Sequence, residues 1–271
     1  MKFYLSTVAD LDAIVDGTDI KTINKNITAP FAKGCGFGIE IADYCIAEYL
    51  DEEYDDAYKL VSEKVSVNPD TIFHAPYNEL FPTAIDKRVR DVAIYRYEQA
   101  LKLAKDFGAK KIVIHSGYMP ASYYKVFFIS QSIKFWKEFL ANHPGDYIIC
   151  LENVMDDDPG MLLEIVKTVD DDRLRLCVDV GHANVTGTDP AKWIETCGKY
   201  ISHLHIHNNY GVEKDGEGGA SADKHLPLGE GVIDIDLLLH KAQKIDDNIT
   251  ATVECNNLKP CADWLKERGW V

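Results

Sequence analysis

Residues 174–184 of this chain read Leu-Arg-Leu-Cys-Val-Asp-Val-Gly-His-Ala-Asn. The short apolar run 174–178 has charged residues before it and a glycine soon after it, which is typical of a buried strand rather than a helix. Asp179 stands where this strand leaves the core, and His182 follows three residues later. A buried acid is unfavourable unless something pairs with it, and a metal ion is one such partner. The alternative, equally open on this segment alone, is that Asp179 caps the next turn and His182 lies in a loop.

Composition argues against several classes of protein. The chain has 271 residues, 46% of them hydrophobic and 27% charged, which is enough for a large core. It contains no apolar run of about 18 residues that would predict a membrane span. The formal net charge of −15 argues against a constitutive nucleic-acid or membrane binder, because phosphates attract lysine and arginine. The seven cysteines form no Cys-x-x-Cys pair and the N-terminus lacks a signal-peptide pattern, so a reducing, cytoplasmic location is expected.

Short β-like runs alternate with longer helical patterns along the whole chain. The expected strands are 3–8, 38–42, 71–75, 111–115, 147–151, 174–179, 201–207 and 250–254. Strict alternation of strand and helix predicts a parallel sheet. Eight such units in a chain of this length predict an α/β protein, a closed (β/α)8 TIM barrel, as a single domain over residues 1–271.

The helical patterns supply the other half of each unit. The clearest is 88–107, whose apolar residues recur at helical spacing before the stop signal of Gly108. Similar patterns cover 130–140, 159–169, 189–200, 233–244 and 260–268. Pro159 and Pro190 each follow an aspartate, which predicts a capped helix start. One connection, 208–231, is long and rich in glycine, and is therefore expected to be a functional surface loop.

Side chains that bind metals gather at the predicted strand ends, which form one face of such a barrel. They are His74, His115, Glu152, Asp179, His182, His205, Asp223, His225 and Glu254. Any one alone has a simpler explanation, because a histidine after a strand is most often a hydrogen-bonded loop residue. Together, with no matching set of lysine or arginine, they predict bound divalent cations. Imidazole and carboxylate ligands suit Zn²⁺ or Mn²⁺.

The seventh strand carries three histidines at alternate positions. Alternation places His203, His205 and His207 on one face of that strand. His205 lies nearest the register of the other ligands, whereas His203 is expected to be a satisfied histidine of the barrel interior. Two roles remain open for His207: it either supports a metal ligand without binding the metal itself, or faces the substrate.

At these residues the chain resembles the xylose-isomerase-like TIM-barrel superfamily, which contains endonuclease IV and the sugar isomerases and epimerases. Four matches are common to both branches: Glu152, Asp179, His205 and Glu254. The resemblance implies that these hold one divalent metal and that the two glutamates also move protons. The endonuclease IV branch has five more ligands and three metals, and each has a match: His74, His115, His182, Asp223 and His225. Up to three ions are thus implied, with zinc favoured over Mn²⁺ or Mg²⁺ because imidazole is plentiful.

The resemblance implies two enzymatic hypotheses. In the first, an endonuclease IV-like phosphoester hydrolase, Glu152 bridges two ions and a third ion lies on His182, Asp223 and His225. In the second, a sugar or sugar-phosphate isomerase or epimerase, Glu152 and Glu254 act on opposite faces of one carbon beside a single metal. That reading leaves His74, His115 and His225 without a metal role. A metal-loaded binding barrel without catalysis is a third, non-enzymatic hypothesis.

The segments expected to face substrate depart from the endonuclease pattern. The segment 40–44, at the end of strand two, begins with Glu40 and resembles the sugar-isomerase branch, whereas Tyr77 matches a DNA-inserting tyrosine of the endonuclease branch. These two residues and His207 are the candidates for substrate contact. The mouth is poor in basic residues, so strong nonspecific nucleic-acid binding is not expected. A small phosphorylated or sugar substrate, or a damaged nucleic-acid end, is expected instead.

Overall fold

Eight parallel strands form the centre of the molecule in the computed structural model, which describes residues 1–10, 26–212, 222–255 and 257–271. The strands are β1 Lys2–Ser6, β2 Gly38–Ile41, β3 Thr71–His74, β4 Lys111–His115, β5 Ile148–Glu152, β6 Leu174–Asp179, β7 Ile201–Ile206 and β8 Thr250–Val253. Each pairs in parallel with the next, and β8 pairs with β1, so the sheet closes. The (β/α)8 TIM barrel predicted from the sequence is therefore confirmed.

Helices cover the outside of the barrel between the strands. Among the described residues they are α1 Thr28–Cys35, α2 Tyr54–Val67, α3 Lys87–Asp106, α4 Lys125–Asn142, α5 Pro159–Val169, α6 Val180–Val185, α7 Pro190–Cys197, α8 Ile235–Ile245 and α9 Leu258–Glu267. Short 3₁₀ turns occupy Thr7–Asp10, Asp43–Cys45, Ala47–Leu50 and Gly198–Tyr200. The predicted caps are confirmed: Asp158 accepts a hydrogen bond from the Gly160 amide and Asp189 from the Ala191 amide. The helix α6, which begins directly after β6, is not predicted from the sequence.

The residues inside the barrel change in chemistry along each strand. An apolar layer consists of Tyr4, Ile72, Val113, Cys150 and Cys177, all buried. Strand side chains alternate with a period of two, so the residue two places further on points into the same interior. On β3 to β6 these next residues are His74, His115, Glu152 and Asp179. The apolar layer thus forms the floor of a polar mouth at the C-terminal strand ends.

Two expectations from composition can be compared with the described residues. Cys150 and Cys177 are buried in the barrel interior, as expected for small core residues. Within the described ranges, no helix is long and apolar enough to cross a membrane.

A buried ion network ties the first two strand ends to the outer helices. The Lys64 ammonium on α2 lies 2.8 Å from the Asp10 carboxylate and 2.6 Å from that of Asp43. Asp43 also accepts a hydrogen bond from the Thr7 hydroxyl, and Asp10 accepts from the amide and hydroxyl of Thr28. Asp43, in the segment after β2, therefore pairs with Lys64. It adds no unpaired negative charge to the mouth of the barrel.

Replacing Lys64 by methionine is expected to lower the free energy of unfolding by about 3–5 kcal/mol, because two buried carboxylates lose their cation. Urea denaturation followed by circular dichroism measures this. Lys59→Met is the matched control, since Lys59 is exposed on the same helix, and it should change the value by no more than about 0.5 kcal/mol. Equal effects of the two substitutions would contradict a stabilising role for the network.

Candidate metal centre

Three groups of side chains at the mouth bring together atoms that bind metals. The first group is His74, His115 and Glu152; the second is Glu152, Asp179, His205 and Glu254; the third is His182, His207, Asp223 and His225. Within each group the ligand atoms all lie within 4.8 Å of one another. The structure thus brings together all nine residues singled out as candidate ligands in the sequence, and it adds His207 to the third group.

In the first group two imidazoles face one carboxylate oxygen. Glu152 Oε2 lies 3.3 Å from His74 Nε2 and 3.4 Å from His115 Nε2. This oxygen is buried and has no hydrogen-bond partner among the described residues. A buried acceptor without a partner is unfavourable, so a cation between these three atoms would stabilise the arrangement.

In the second group three carboxylates surround one imidazole nitrogen. His205 Nδ1 lies 3.1 Å from Glu152 Oε1, 3.4 Å from Glu254 Oε2 and 3.8 Å from Asp179 Oδ2. Like charges this close repel one another unless a proton or a metal ion is shared between them. Glu152 belongs to both groups, because its two oxygens point to different sides.

The third group forms where the long loop returns to the barrel. Asp223 Oδ2 lies 2.9 Å from His225 Nε2 and 3.2 Å from His182 Nε2. A backbone bridge between Asn208 and Leu226 fixes this end of the loop beside β7. The middle of the predicted loop, 213–221, lies outside the described residues.

Backbone carbonyls set which ring nitrogen faces the mouth in three of the histidines. The Nδ1 atoms of His74, His182 and His225 lie 2.7–3.0 Å from carbonyl oxygens of Ala75, Asn153 and Glu254, respectively. A carbonyl can only accept, so Nδ1 carries a proton and Nε2 is the nitrogen that each ring turns toward the mouth. This arrangement is common behind metal-binding histidines, because it fixes the ring orientation and the tautomer.

Asp179 combines the two roles that the sequence leaves open. Its Oδ1 accepts a 2.6 Å hydrogen bond from the His182 amide and so caps α6. Its Oδ2 faces the second group. The cap and the metal-ligand geometry are therefore compatible, because each uses a different oxygen.

Glu40 occupies a different place from the substrate-facing one predicted for it. It is 0% exposed, and its oxygens accept hydrogen bonds from His205 Nε2 at 3.0 Å, His203 Nε2 at 3.1 Å and the Thr252 hydroxyl at 2.5 Å. The prediction for Glu40 is therefore corrected: it lies behind His205 and orients that ring. His203 also bonds to the Thr250 hydroxyl, which agrees with its predicted place in the barrel interior.

Tyr77 lies against the first group. Its ring stacks on His115 at 4.4 Å between centroids and meets the edge of His74 at 5.3 Å. The ring is half-buried, so part of it remains accessible from the mouth.

The buried charges shift several pKa values. Burial lowers the pKa of His115 to about 3, so this imidazole is neutral and its lone pair is available to a metal. Burial would also lower the pKa of His225, but its hydrogen bond with Asp223 raises it to about 9. Burial by itself would raise the pKa of Glu152. The nearby His205 and His115 outweigh this effect and hold the pKa well below its usual range, so the carboxylate stays ionised. Burial raises the pKa of Glu254, although His205 opposes the shift.

Comparison with known proteins shows the family of this chain. The family model described as the xylose isomerase-like TIM barrel matches residues 33–271, which is most of the chain. The chain belongs to the xylose isomerase-like TIM-barrel family. The superfamily resemblance inferred from the candidate ligands is therefore confirmed.

Relatives of this chain carry different names. An uncharacterized protein of Methanocaldococcus jannaschii is 31% identical over 201 residues, covering 69% of this chain and 65% of that protein, just under two thirds of its length. A probable endonuclease 4 of Mycobacterium tuberculosis is 24% identical over 204 residues, covering 72% of this chain and 77% of the relative. The names of these relatives do not fix a single activity for this chain.

Solved structures share the fold across nearly the full length. A D-tagatose 3-epimerase-like protein has a TM-score of 0.73 at 24% identity, covering 99% of this chain and 96% of its own. A Thermus thermophilus protein soaked with ZnCl2 has a TM-score of 0.72 at 21% identity, covering 100% and 98%. Enzymes named as endonucleases and as epimerases are thus both similar to this chain.

The xylose isomerase-like barrel described here suits a divalent metal by the chemistry of its own residues. Glu152 Oε2, Asp223 Oδ1 and His207 Nδ1 are all buried and without hydrogen-bond partners among the described residues. Zn²⁺ takes imidazole and carboxylate ligands of this kind. The sequence did not predict His207 as a member of the third group, and the signal for it was the alternation of three histidines along and just after β7.

Replacing Glu40 by glutamine is expected to weaken zinc binding about 10- to 100-fold, because the Glu40 carboxylate accepts a hydrogen bond from His205 Nε2 and orients that ring. A competition titration against a chromophoric chelator measures the affinity. Glu164→Gln, at an exposed position on α5, is the matched control and should leave the affinity unchanged. An unaltered affinity in Glu40→Gln would show that His205 needs no partner behind it.

Proposed function

We propose that this protein is a divalent-metal-dependent hydrolase of phosphoester bonds, with a multinuclear metal centre at the C-terminal mouth of the barrel. The observation that carries the proposal is the first group, where the unpaired Oε2 of Glu152 faces His74 and His115. A single-metal isomerase needs only the second group and would leave these two histidines without a ligand role.

The first and second groups would each hold one ion. Glu152 would be a ligand to two ions, one shared with the two histidines of the first group and one shared with the rest of the second group. When bound, divalent ions supply Lewis acidity and positive charge for the oxygens of a phosphoryl group. The chain contributes ligands fixed by the barrel strands, a neutral imidazole at His115 and a buried carboxylate at Glu152 that stays ionised.

Tyr77 is the proposed substrate contact of the mouth. Its half-buried ring lies over His115, beside the first group. An aromatic face in this place can pack against a sugar or a base next to the reacting phosphate.

The charges around the mouth favour a small substrate or a chain end over an undistorted duplex. Three of the lysines nearest the predicted mouth loops are already paired: Lys87 with Asp91, Lys125 with Asp157 and Lys259 with Asp263. Lys214 lies outside the described residues. A small phosphorylated sugar or a damaged nucleic-acid end needs fewer cationic contacts than a long duplex.

A sugar or sugar-phosphate isomerase or epimerase is the second candidate. Glu254 favours it, because burial raises the pKa of this carboxyl and a raised pKa suits a group that accepts and returns a proton. In that reaction Glu152 and Glu254 would act on one carbon beside a single metal held by the second group.

Two substitutions separate these candidates. Glu152→Ala removes a ligand that both need, so either activity should fall at least about 100-fold, the loss that a misplaced reacting group already causes. His115→Ala should abolish hydrolysis of a chromogenic phosphodiester to a similar degree, but it should leave a ketose epimerase largely active. Steady-state assays of both reactions with zinc-loaded protein measure the difference.

Exposed His240 on α8 provides the matched control, and His240→Ala should retain full activity. Thermal unfolding by circular dichroism should be similar for His115→Ala and the parent protein, because residues on this face of a barrel serve chemistry more than stability. Retained phosphodiesterase activity in a folded His115→Ala would overturn the hydrolase proposal.

Binding to a duplex that contains an abasic site should be weak and should depend only slightly on salt. Duplex DNA presents a charge about every 1.7 Å along its axis, and tight binders meet it with many cationic contacts. Fluorescence anisotropy at low and moderate salt measures both quantities, with a short single strand ending in a phosphate as the comparison. Tight duplex binding with a steep salt dependence, together with incision beside the lesion, would identify a repair endonuclease instead.

A further inference from the structure

We infer that Lys111 and Thr250, at the bottom of the barrel, are positioning residues for the metal centre at its mouth. They act through hydrogen bonds that run inside the barrel by way of His203 and Glu40 and end on the ring of His205. Lys111, Thr250, His203 and Glu40 form the interior network. The inference rests on the proposed metal centre and deepens it, because it names residues that position a ligand from the far end of the barrel.

The interior network begins at Lys111, the first residue of β4. That strand ends at His115, four residues and about 13 Å further on, so Lys111 lies at the opposite end of the barrel from the mouth. Its side chain is half-buried, and its ammonium donates to the Ser202 carbonyl at 2.7 Å and to the Thr250 hydroxyl at 3.0 Å. These two residues belong to β7 and β8, which are not neighbours of β4 in the sheet, so the side chain crosses the barrel interior.

Thr250 connects Lys111 to His203. The Thr250 hydroxyl oxygen lies 2.6 Å from His203 Nδ1. An ammonium only donates, so this oxygen accepts from Lys111 and keeps its own hydrogen for His203 Nδ1. A proton on Nδ1 would point at the same oxygen as the ammonium does, next to its positive charge, which is unfavourable. Lys111 and Thr250 together therefore favour a His203 ring whose Nδ1 accepts.

The other nitrogen of His203 requires the same tautomer. His203 Nε2 lies 3.1 Å from Glu40 Oε2 and 2.9 Å from the Thr252 hydroxyl oxygen. That hydroxyl gives its hydrogen to Glu40 Oε2, at 2.5 Å, so it can only accept from the ring. A carboxylate also only accepts, so Nε2 carries a proton. The ring that Lys111 and Thr250 favour is thus the one that donates to Glu40.

Glu40 carries the interior network to the mouth. Its second oxygen, Oε1, accepts from His205 Nε2 at 3.0 Å, which leaves His205 Nδ1 facing the second group, 3.1 Å from Glu152 Oε1. A partner behind a ligand histidine fixes the orientation and tautomer of the ring. Glu40 does this for His205 while its own carboxylate is held, and the donors that hold it are His203 and Thr252.

The interior network has a fixed direction, because each of its ends can play only one part. Lys111 at the bottom only donates, and Glu40 below the mouth only accepts. The hydroxyl and the ring between them can do either, so loss of the ammonium allows the proton of His203 to move to Nδ1. Nε2 would then turn a lone pair toward the Glu40 carboxylate, and the two would repel each other. His205 would lose the fixed partner that orients it.

Nitrogen-15 spectra of the full chain, recorded with and without ZnCl2, test the interior network without an assay of activity. In both states His203 should carry a proton on Nε2 and none on Nδ1. In Thr250→Val, which removes the hydroxyl and keeps the shape of the side chain, the Nδ1 resonance of His203 should move. Thr250→Ser should restore the parent spectrum. A proton on Nδ1 in the unmodified chain, or an unmoved resonance in Thr250→Val, would overturn the inference.

Zinc affinity shows whether the interior network reaches the mouth. In a competition titration against a chromophoric chelator, Lys111→Met and Thr250→Val should each weaken the binding of one zinc equivalent about tenfold, the lower end of the loss caused by removing a partner directly behind a ligand. Thr250→Ser should retain the parent affinity. Lys110→Met is the matched control, because Lys110 is exposed beside Lys111 and pairs with Asp146, and it should leave the affinity unchanged.

A double variant separates positioning from a general loss of stability. If Lys111 acts through Glu40, adding Lys111→Met to Glu40→Gln should weaken zinc binding no further, because members of one network are not additive. Additive losses, or the full parent affinity in a folded Lys111→Met, would overturn the inference and leave the proposed function intact. No zinc binding by the parent chain would overturn both.

Discussion

The mouth of this barrel depends on one fully buried carboxylate, Glu152, placed at the end of β5. A buried negative charge is tolerated only with partners. Its two oxygens find them on opposite sides, with His74 and His115 at one and His205 at the other. Because one residue serves both sides, the first and second groups cannot be arranged independently, and the spacing between them follows from the width of a carboxylate.

The barrel provides the rigid surroundings that such a cluster needs. Inward-facing positions pass from an apolar layer to ligands within two residues on β3 to β6. Below the ligands, Glu40 and Thr252 satisfy the imidazoles from the side away from the mouth. Charged side chains that would be costly anywhere else in the core are thus hydrogen-bonded from below and open to cations from above.

The buried acidic side chains of this molecule have two different kinds of partner. Some acids are neutralised inside the protein, as Asp10 and Asp43 are by Lys64 on α2. Others, such as Glu152 and Asp223 at the mouth, face imidazoles. The overall negative charge of the chain therefore does not describe the field at the site, which depends on how many ions the three groups hold. A substrate with few phosphates gains from those ions without needing a basic surface.

The sequence by itself determined the barrel and the nine candidate ligands, because strand periodicity and strand-end position are local properties that survive in the linear chain. Only the tertiary structure decided how the ligands divide into groups, since this depends on which side-chain atoms meet across different strands. The alternation of His205 and His207 at the end of β7 does not indicate that one ring faces Glu152 and the other Asp223. Glu40 shows the same limit: the resemblance of its segment to the sugar-isomerase branch predicts an acid that faces substrate, yet the closure of the sheet turns it inward beneath His205. The physical reason is that orientation and burial are set by barrel closure, which no short stretch of sequence contains.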